Sequence, residues 1–137
     1  MNVVIGVGAN CGDRKVAVEN ALCWLHSQLR ESEASAIYET PCARKTGKEY
    51  MNAVIAGVYP GLLEQLQDSL KEYEEKMGRT SECRERGEVP MDLDIVICDN
   101  SVVKEWDFRQ RFFIIGYEEI RDHYISLMSP PVISGIE

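Results

Sequence analysis

Apolar residues follow two rhythms along this chain, and the changes between them mark out its elements. Asn2 to Gly8 is a short β-branched run, followed by Ala9-Asn10-Cys11-Gly12-Asp13, a cluster that stops a strand and can cap a helix. From Arg14 to Leu29 the apolar positions Val18, Leu22, Leu25 and Leu29 recur at intervals of 4, 3 and 4, lining one helical face with Trp24 beside the stripe. Ser35 to Thr40 predicts a strand stopped by Pro41, Ala43 to Glu49 a polar loop, and Tyr50 to Tyr59 the next strand. Beyond Pro60-Gly61, helical spacing returns in Leu62, Leu66, Leu70, Tyr73 and Met77 until Gly78 ends it. Arg79 to Pro90 is a charged loop with little to bury, Met91 to Cys98 resumes strand character, and Asp99-Asn100 signals a turn. Phe108 to Ile120 predicts a final helix, and the last dozen residues a loose tail.

The order β-α-β-β-α-β is the ferredoxin-like α+β signature: one antiparallel sheet with two helices on a single face, here with a C-terminal extension. That arrangement predicts a free opposite face. The 137 residues, 45% hydrophobic, suffice for one domain spanning 1–137 and not for two. A net charge of −8 and a sequence pI near 4.8 disfavour a general attraction to nucleic acid or anionic membrane. A phosphate ligand must then be held by local features. No apolar run approaches a bilayer span, and Met1 to Val7 has neither a basic start nor a cleavage site, so the expectation is a cytoplasmic protein. Small-molecule substrates and a monomer are the favoured partners and state, the sequence itself giving no oligomeric state. Five single cysteines with no Cys-x-x-Cys pair point to reduced thiols, and the isolated His26 and His123 give little basis for zinc.

In Met91-Asp92-Leu93-Asp94-Ile95, strand alternation puts both aspartates on one face. Two adjacent acids repel, and aspartate is a poor strand former, so the pair is costly unless a cation neutralises it. Isolated acids usually just face solvent. Here the strand continues as Ile95-Val96-Ile97, which argues for a central position and hence for a divalent-metal site. Hard carboxylate oxygens suit Mg²⁺, which commonly bridges one or two protein acids to substrate phosphates.

The preceding loop carries Arg79, Arg84 and Arg86, whose planar, bidentate donors could close over a polyphosphate. Interspersed Glu82, Glu85 and Glu88 would otherwise make this an ordinary solvated loop. Gly6-Val7-Gly8-Ala9-Asn10-Cys11-Gly12 invites a dinucleotide-binding reading, but Cys11 stands where a third glycine is needed. A tight turn bringing backbone near a ligand fits better. Tyr50 and Asn52, two apart on one strand face, pair an aromatic ring with an amide that can stack on and hydrogen-bond a flat heterocycle.

Taken in order, Gly8-Ala9-Asn10, Tyr38-Glu39-Thr40-Pro41, Tyr50-Met51-Asn52-Ala53-Val54, Glu74 with Gly78-Arg79, Asp92-Leu93-Asp94-Ile95 and Arg111-Phe112-Phe113 resemble the 6-hydroxymethyl-7,8-dihydropterin pyrophosphokinase family. The likeness runs from about residue 2 to 120. It implies transfer of the β,γ-diphosphate of ATP to a pterin hydroxymethyl group. By resemblance, Asp92 and Asp94 would hold two Mg²⁺ ions, while Glu74, Arg79, Ile95 and Arg111 would lie around ATP. Thr40, Pro41, Tyr50, Asn52 and Phe113 would form the pterin pocket. Catalysis would then rest on Asp92, Asp94 and the cations Arg79 and Arg86, with Arg84 at the nucleotide.

The chain departs from the family pattern in the loop before the acid pair. The family usually has Arg-Trp-Gly-Pro-Arg-Thr there, whereas this chain has Glu85-Arg86-Gly87-Glu88-Val89-Pro90, with Val89 in place of an arginine. Ser81 likewise replaces a frequent second arginine, a Pro-His-Pro stretch is absent, and the connection from Asn100 to Arg111 is short. Arg84 or Arg86 is expected to replace the lost charge. The alternative is a binding homologue that keeps the pterin pocket but transfers diphosphate poorly or not at all.

Overall fold

Alternation in the first apolar run sets up the centre of the molecule. In the computed structural model, which describes residues 1–42 and 48–128, Asn2–Ala9 forms β1. It lies between β4 (Tyr50–Val58) and β5 (Asp92–Cys98), antiparallel to both. The other strands are β2 (Arg30–Ala34), β3 (Tyr38–Thr40) and β6 (Ser101–Val102), and the sheet order is β2-β4-β1-β5-β6, with β3 also paired to β4. The helices are α1 (Arg14–Gln28), α2 (Leu63–Lys76), α3 (Ser81–Glu85), α4 (Glu105–Phe108) and α5 (Arg111–Met128). This is the expected ferredoxin-like α+β architecture.

One face of the sheet is sealed by α1 and α2. Val3, Ile5 and Val7 of β1 point at Val18, Leu22 and Leu25 of α1 and Leu66 and Leu70 of α2, joined by Leu93 and Ile95 of β5. Each such side chain removed from water contributes roughly 1.5–3 kcal/mol. Trp24 stacks on Tyr73 at 4.5 Å and ties the two helices together. The predicted stripe of α2 is shorter than its periodicity suggested, because Leu62 and Met77, at its two ends, are exposed. Gly78 ends α2 with φ +91°, a conformation most side chains avoid.

Three details differ from the sequence reading. The opposite face is not free: Phe113, Gly116, Ile120 and Tyr124 of α5 cover Val4, Val54, Ala56, Val96 and Ile97. Of the edge strand predicted from Ser35 to Thr40 only Tyr38–Thr40 is strand, as β3, and an unpredicted piece, β2, precedes it. Between them Ser35 donates its backbone N–H to the Val54 carbonyl and accepts from the Val54 N–H through its hydroxyl. β2 was hidden because an edge strand needs no apolar alternation, and Arg30-Glu31-Ser32-Glu33 has none. The charged loop after α2 contains the short helix α3, started by the Thr80 hydroxyl, which accepts from the Cys83 N–H. Most of the predicted polar loop, residues 43–47, and the tail from 129 lie outside the described residues.

A bulge between Val4 and Ile5 in the β1–β5 pairing sets Ile5 opposite Ile95 but Val4 opposite Ile97. Val96 is the extra residue, which lets Val96 and Ile97 both join the cluster under α5. Below the bulge, strand register is undisturbed and aims the two aspartates at the open end of this face, beyond the start of α5.

Candidate active site

Register lays the site out as a row across four strands: Asp92 pairs with Gly8, Gly8 with Asn52, and Asn52 with Tyr38. One step along, Asp94 pairs with Gly6. Adjacent strands lie about 4.8 Å apart, so the acid pair and Asn52 stand roughly 10 Å from each other across a glycine floor. The glycines keep that floor low. A Cβ on Gly8 would sit 3.0 Å from Asn52 Oδ1 and 3.4 Å from the Tyr50 ring, and one on Gly6 would be 3.7 Å from Phe113.

Above this floor opens a cavity of about 470 Å³, a size suited to a small heterocycle. Thr40, Pro41, Tyr50, Asn52 and Phe113 all line it, as do Asp92 and Asp94. Phe113 stacks on Tyr117 at 5.4 Å, which fixes its ring. Asn52 is buried and its side-chain nitrogen donates to the Thr40 hydroxyl at 2.6 Å, so its carbonyl oxygen is the group left over the floor. Burial and the nearby Asp92 push the Tyr50 hydroxyl up to about 12, keeping it neutral and able to donate. The Tyr38 hydroxyl donates to the Phe112 carbonyl at 2.5 Å and accepts from Gly116 N–H at 3.1 Å, anchoring the start of α5 to β3.

A second cavity, of about 540 Å³, lies behind β5 against α2 and includes Glu74 and Ile95. Arg79, Thr80, Arg84, Asp92, Asp94 and Lys104 line both cavities, so the two meet at the acid pair. Arg79 is locked there: its Nη1 donates to Glu74 at 2.9 Å, Asp92 at 2.8 Å and the Met91 carbonyl at 3.4 Å. Glu74 in turn accepts from the Leu93 N–H at 2.8 Å, which fastens α2 to β5. Burial raises the Glu74 carboxyl above its usual range, against the pull of the Leu93 N–H and Arg79. Lys104 donates to Asp94. Burial first, and then the Asp94 carboxylate, raise Asp92, and Arg79 only partly offsets them.

The remaining predicted residues are not drawn in. Arg86 donates to Glu88 at 2.8 Å and lines neither cavity, whereas the neighbouring Arg84 lines both. Arg111 is exposed at the first turn of α5 and lines neither. Other residues emerge only from the fold. Asn10, almost fully buried, donates through its side chain to the Gly87 carbonyl at 2.9 Å, accepts from the Val89 N–H, and donates its own N–H to the Val89 carbonyl at 2.9 Å. It therefore clamps the end of the arginine loop to β1. Lys104, Trp106 and Asp107 reach the cleft from the short connection whose brevity was visible in sequence but whose direction was not.

Among the described residues no group of three or more His, Cys, Asp or Glu converges as a metal cage. Two carboxylates at a cleft floor nevertheless fit Mg²⁺, which keeps several waters and takes phosphate oxygens alongside one or two protein acids.

Fold and cleft together define a single-sheet α+β protein in which an acid pair joins an aromatic slot to a polar cavity. The sequence model of the 7,8-dihydro-6-hydroxymethylpterin-pyrophosphokinase family matches residues 4–122, and the chain belongs to that family. It is also 30% identical over 123 residues to the folate synthesis bifunctional protein of Arabidopsis thaliana. That match takes in 83% of this chain but only about a quarter, 25%, of the relative's length. No helix among the described residues is long and apolar enough to cross a membrane.

Proposed function

We propose that this chain transfers the β,γ-diphosphate of ATP to the hydroxyl of 6-hydroxymethyl-7,8-dihydropterin, forming the pterin diphosphate and AMP. The observation that carries this reading is the meeting of two cavities at Asp92 and Asp94, with Arg79, Arg84 and Lys104 at the same junction. A transfer between two bound molecules needs two compartments and charge neutralisation where they touch.

The pterin takes the slot over Gly8. Tyr50 and Phe113 hold its ring, Asn52 reads its polar edge through the free carbonyl oxygen, and Thr40 fixes the Asn52 amide in that orientation. ATP takes the second cavity beside Glu74 and Ile95, with its phosphates directed at the junction. Two Mg²⁺ ions, held by Asp92 and Asp94, would supply the neutralisation that phosphate oxygens need. The pterin oxygen then forms a bond to the β-phosphorus as the bond to the α-phosphate oxygen breaks, and AMP leaves with that electron pair. Asp94 assists removal of the hydroxyl proton. Arg79 is presented rigidly by Glu74, and Arg84, carried on α3, supplies a second charge in place of the arginine that Val89 displaces.

Cytoplasmic location and a monomeric state complete the proposal. A coupled assay for AMP release, run with pterin, ATP and Mg²⁺ together, tests it. Turnover that needs all three and falls at least about 10³-fold in Asp92→Asn is expected. Equal background rates in the two proteins would sink the reading.

A further inference from the structure

Both acids at the junction already carry a protein cation, and the two cations are held in different ways. Arg79 sits on Glu74, Asp92 and the Met91 carbonyl, fastened from α2 and β5 at once. Lys104 comes from the connection between β6 and α4, and Asp94 is its only salt-bridge partner among the described residues. Its side chain is 47% exposed. It also lines both cavities, so its ammonium can move within either without leaving the junction.

Resting on the diphosphate-transfer reading, we propose that Lys104 is an exchangeable counter-ion. It occupies Asp94 in the ligand-free protein, then moves to the phosphates of the incoming nucleotide when a divalent cation takes the acid pair. Four observations support this. A half-exposed lysine held by a single acid is weakly fixed, so Lys104 can leave at little cost, while Arg79, fixed on three acceptors, cannot. A cation arriving on Asp94 repels the ammonium and drives it off. Lysine's compact charge on a flexible four-carbon stem suits it to follow phosphate oxygens without fixed bidentate geometry. Finally, beyond the fixed Arg79 the arginine loop offers Arg84 alone to both cavities, since Val89 is apolar and Arg86 is engaged by Glu88, so a further cation for the phosphates must come from the opposite side. Lys104 also faces Asp107, which favours its return to the acidic side once the phosphates depart.

Exchange makes a prediction that a purely structural lysine does not: removing it should move two affinities in opposite directions. Mn²⁺, read by its paramagnetic resonance signal, and the magnesium complex of α,β-methylene-ATP, read by calorimetry, are titrated separately into the wild type, Lys104→Met and Lys104→Arg at low ionic strength. Lys104→Met is expected to bind free Mn²⁺ about threefold more tightly, having lost a competitor, and the nucleotide analogue about tenfold more weakly. Lys104→Arg retains the charge and is expected to keep most of the nucleotide affinity. Thermal melts of both variants confirm that they fold. Shifts in the same direction, or no shift in either, overturn the exchange while leaving the diphosphate-transfer reading intact. A wild type that binds neither probe overturns both.

Discussion

At the scale of single residues, the acid pair was legible because strand alternation is local: Asp92 and Asp94 had to share a face wherever the strand lay. Tyr50 and Asn52 were legible for the same reason. Asn10 and Lys104 were not, because their partners lie far away in sequence or across a turn whose direction periodicity does not encode. The loop arginines could be named but not ranked until the fold separated them. Arg84 lines both cavities and Arg86 is engaged by Glu88, so Arg84→Ala should lower kcat/KM for ATP about tenfold and Arg86→Ala less than about threefold. Steady-state kinetics of the two variants checks this, and the reverse ranking would reassign the loop charge. A pH test follows from Asp92. Its folded-state value is raised, so the folded protein holds this proton more tightly than the unfolded chain does. Its unfavourable contribution is absent below the ordinary carboxylate range and grows as pH rises towards the raised value. In metal-free buffer, the thermal midpoint of Asp92→Asn relative to wild type should therefore increase from pH 5 to pH 8. A flat or falling difference in melts followed by circular dichroism would contradict this account of the charge balance.

At the scale of elements, helical spacing gave α1 and α2 correctly, since Val18, Leu22, Leu25, Leu66 and Leu70 do face the sheet. The cover on the opposite face was missed, although its signal was present. Val3-Val4-Ile5, Ala53-Val54-Ile55-Ala56 and Ile95-Val96-Ile97 are continuous apolar runs, which describe strands buried on both sides. The ferredoxin-like pattern accounts for only one of those sides. α5 closes the other, and Gly116 allows it to come close: a Cβ there would lie 2.6 Å from Val54 Cγ2 and 2.8 Å from the Tyr38 hydroxyl. Alanine would gain about 1 kcal/mol in helix propensity, but overpacking typically costs about 1–3 kcal/mol. Packing should win, so Gly116→Ala is expected to lower the urea midpoint with an unchanged slope. A higher midpoint would mean that α5 packs less tightly on β4 than described. The same change pushes on Tyr38, which holds the N-terminal end of α5 and therefore Phe113, so lost stability and weaker pterin binding should appear together.

At the scale of the whole molecule, the glycine floor, the bulge at Val96 and the position of α5 serve one arrangement. The bulge lets β5 bury Val96 and Ile97 under α5 while Asp92 and Asp94 stay on the open end of that face. α5 begins far enough along to leave the slot over Gly8 uncovered, and Phe113, in its first turn, becomes the wall of that slot. The acidic composition, −8 overall, is locally offset at the junction, where Arg79, Arg84 and Lys104 stand beside Asp92 and Asp94, which is where a polyphosphate would need cations. Composition alone could disfavour a general affinity for polyanions but could not show this local clustering of cations. The central claim is that a diphosphate crosses from one cavity to the other as a unit. Phosphorus NMR of the products tests this most directly, with the protein, ATP, Mg²⁺ and 6-hydroxymethyl-7,8-dihydropterin incubated together. The account predicts AMP and a pterin diphosphate in equal amounts. ADP with a pterin monophosphate, or inorganic phosphate with unmodified pterin, would contradict it.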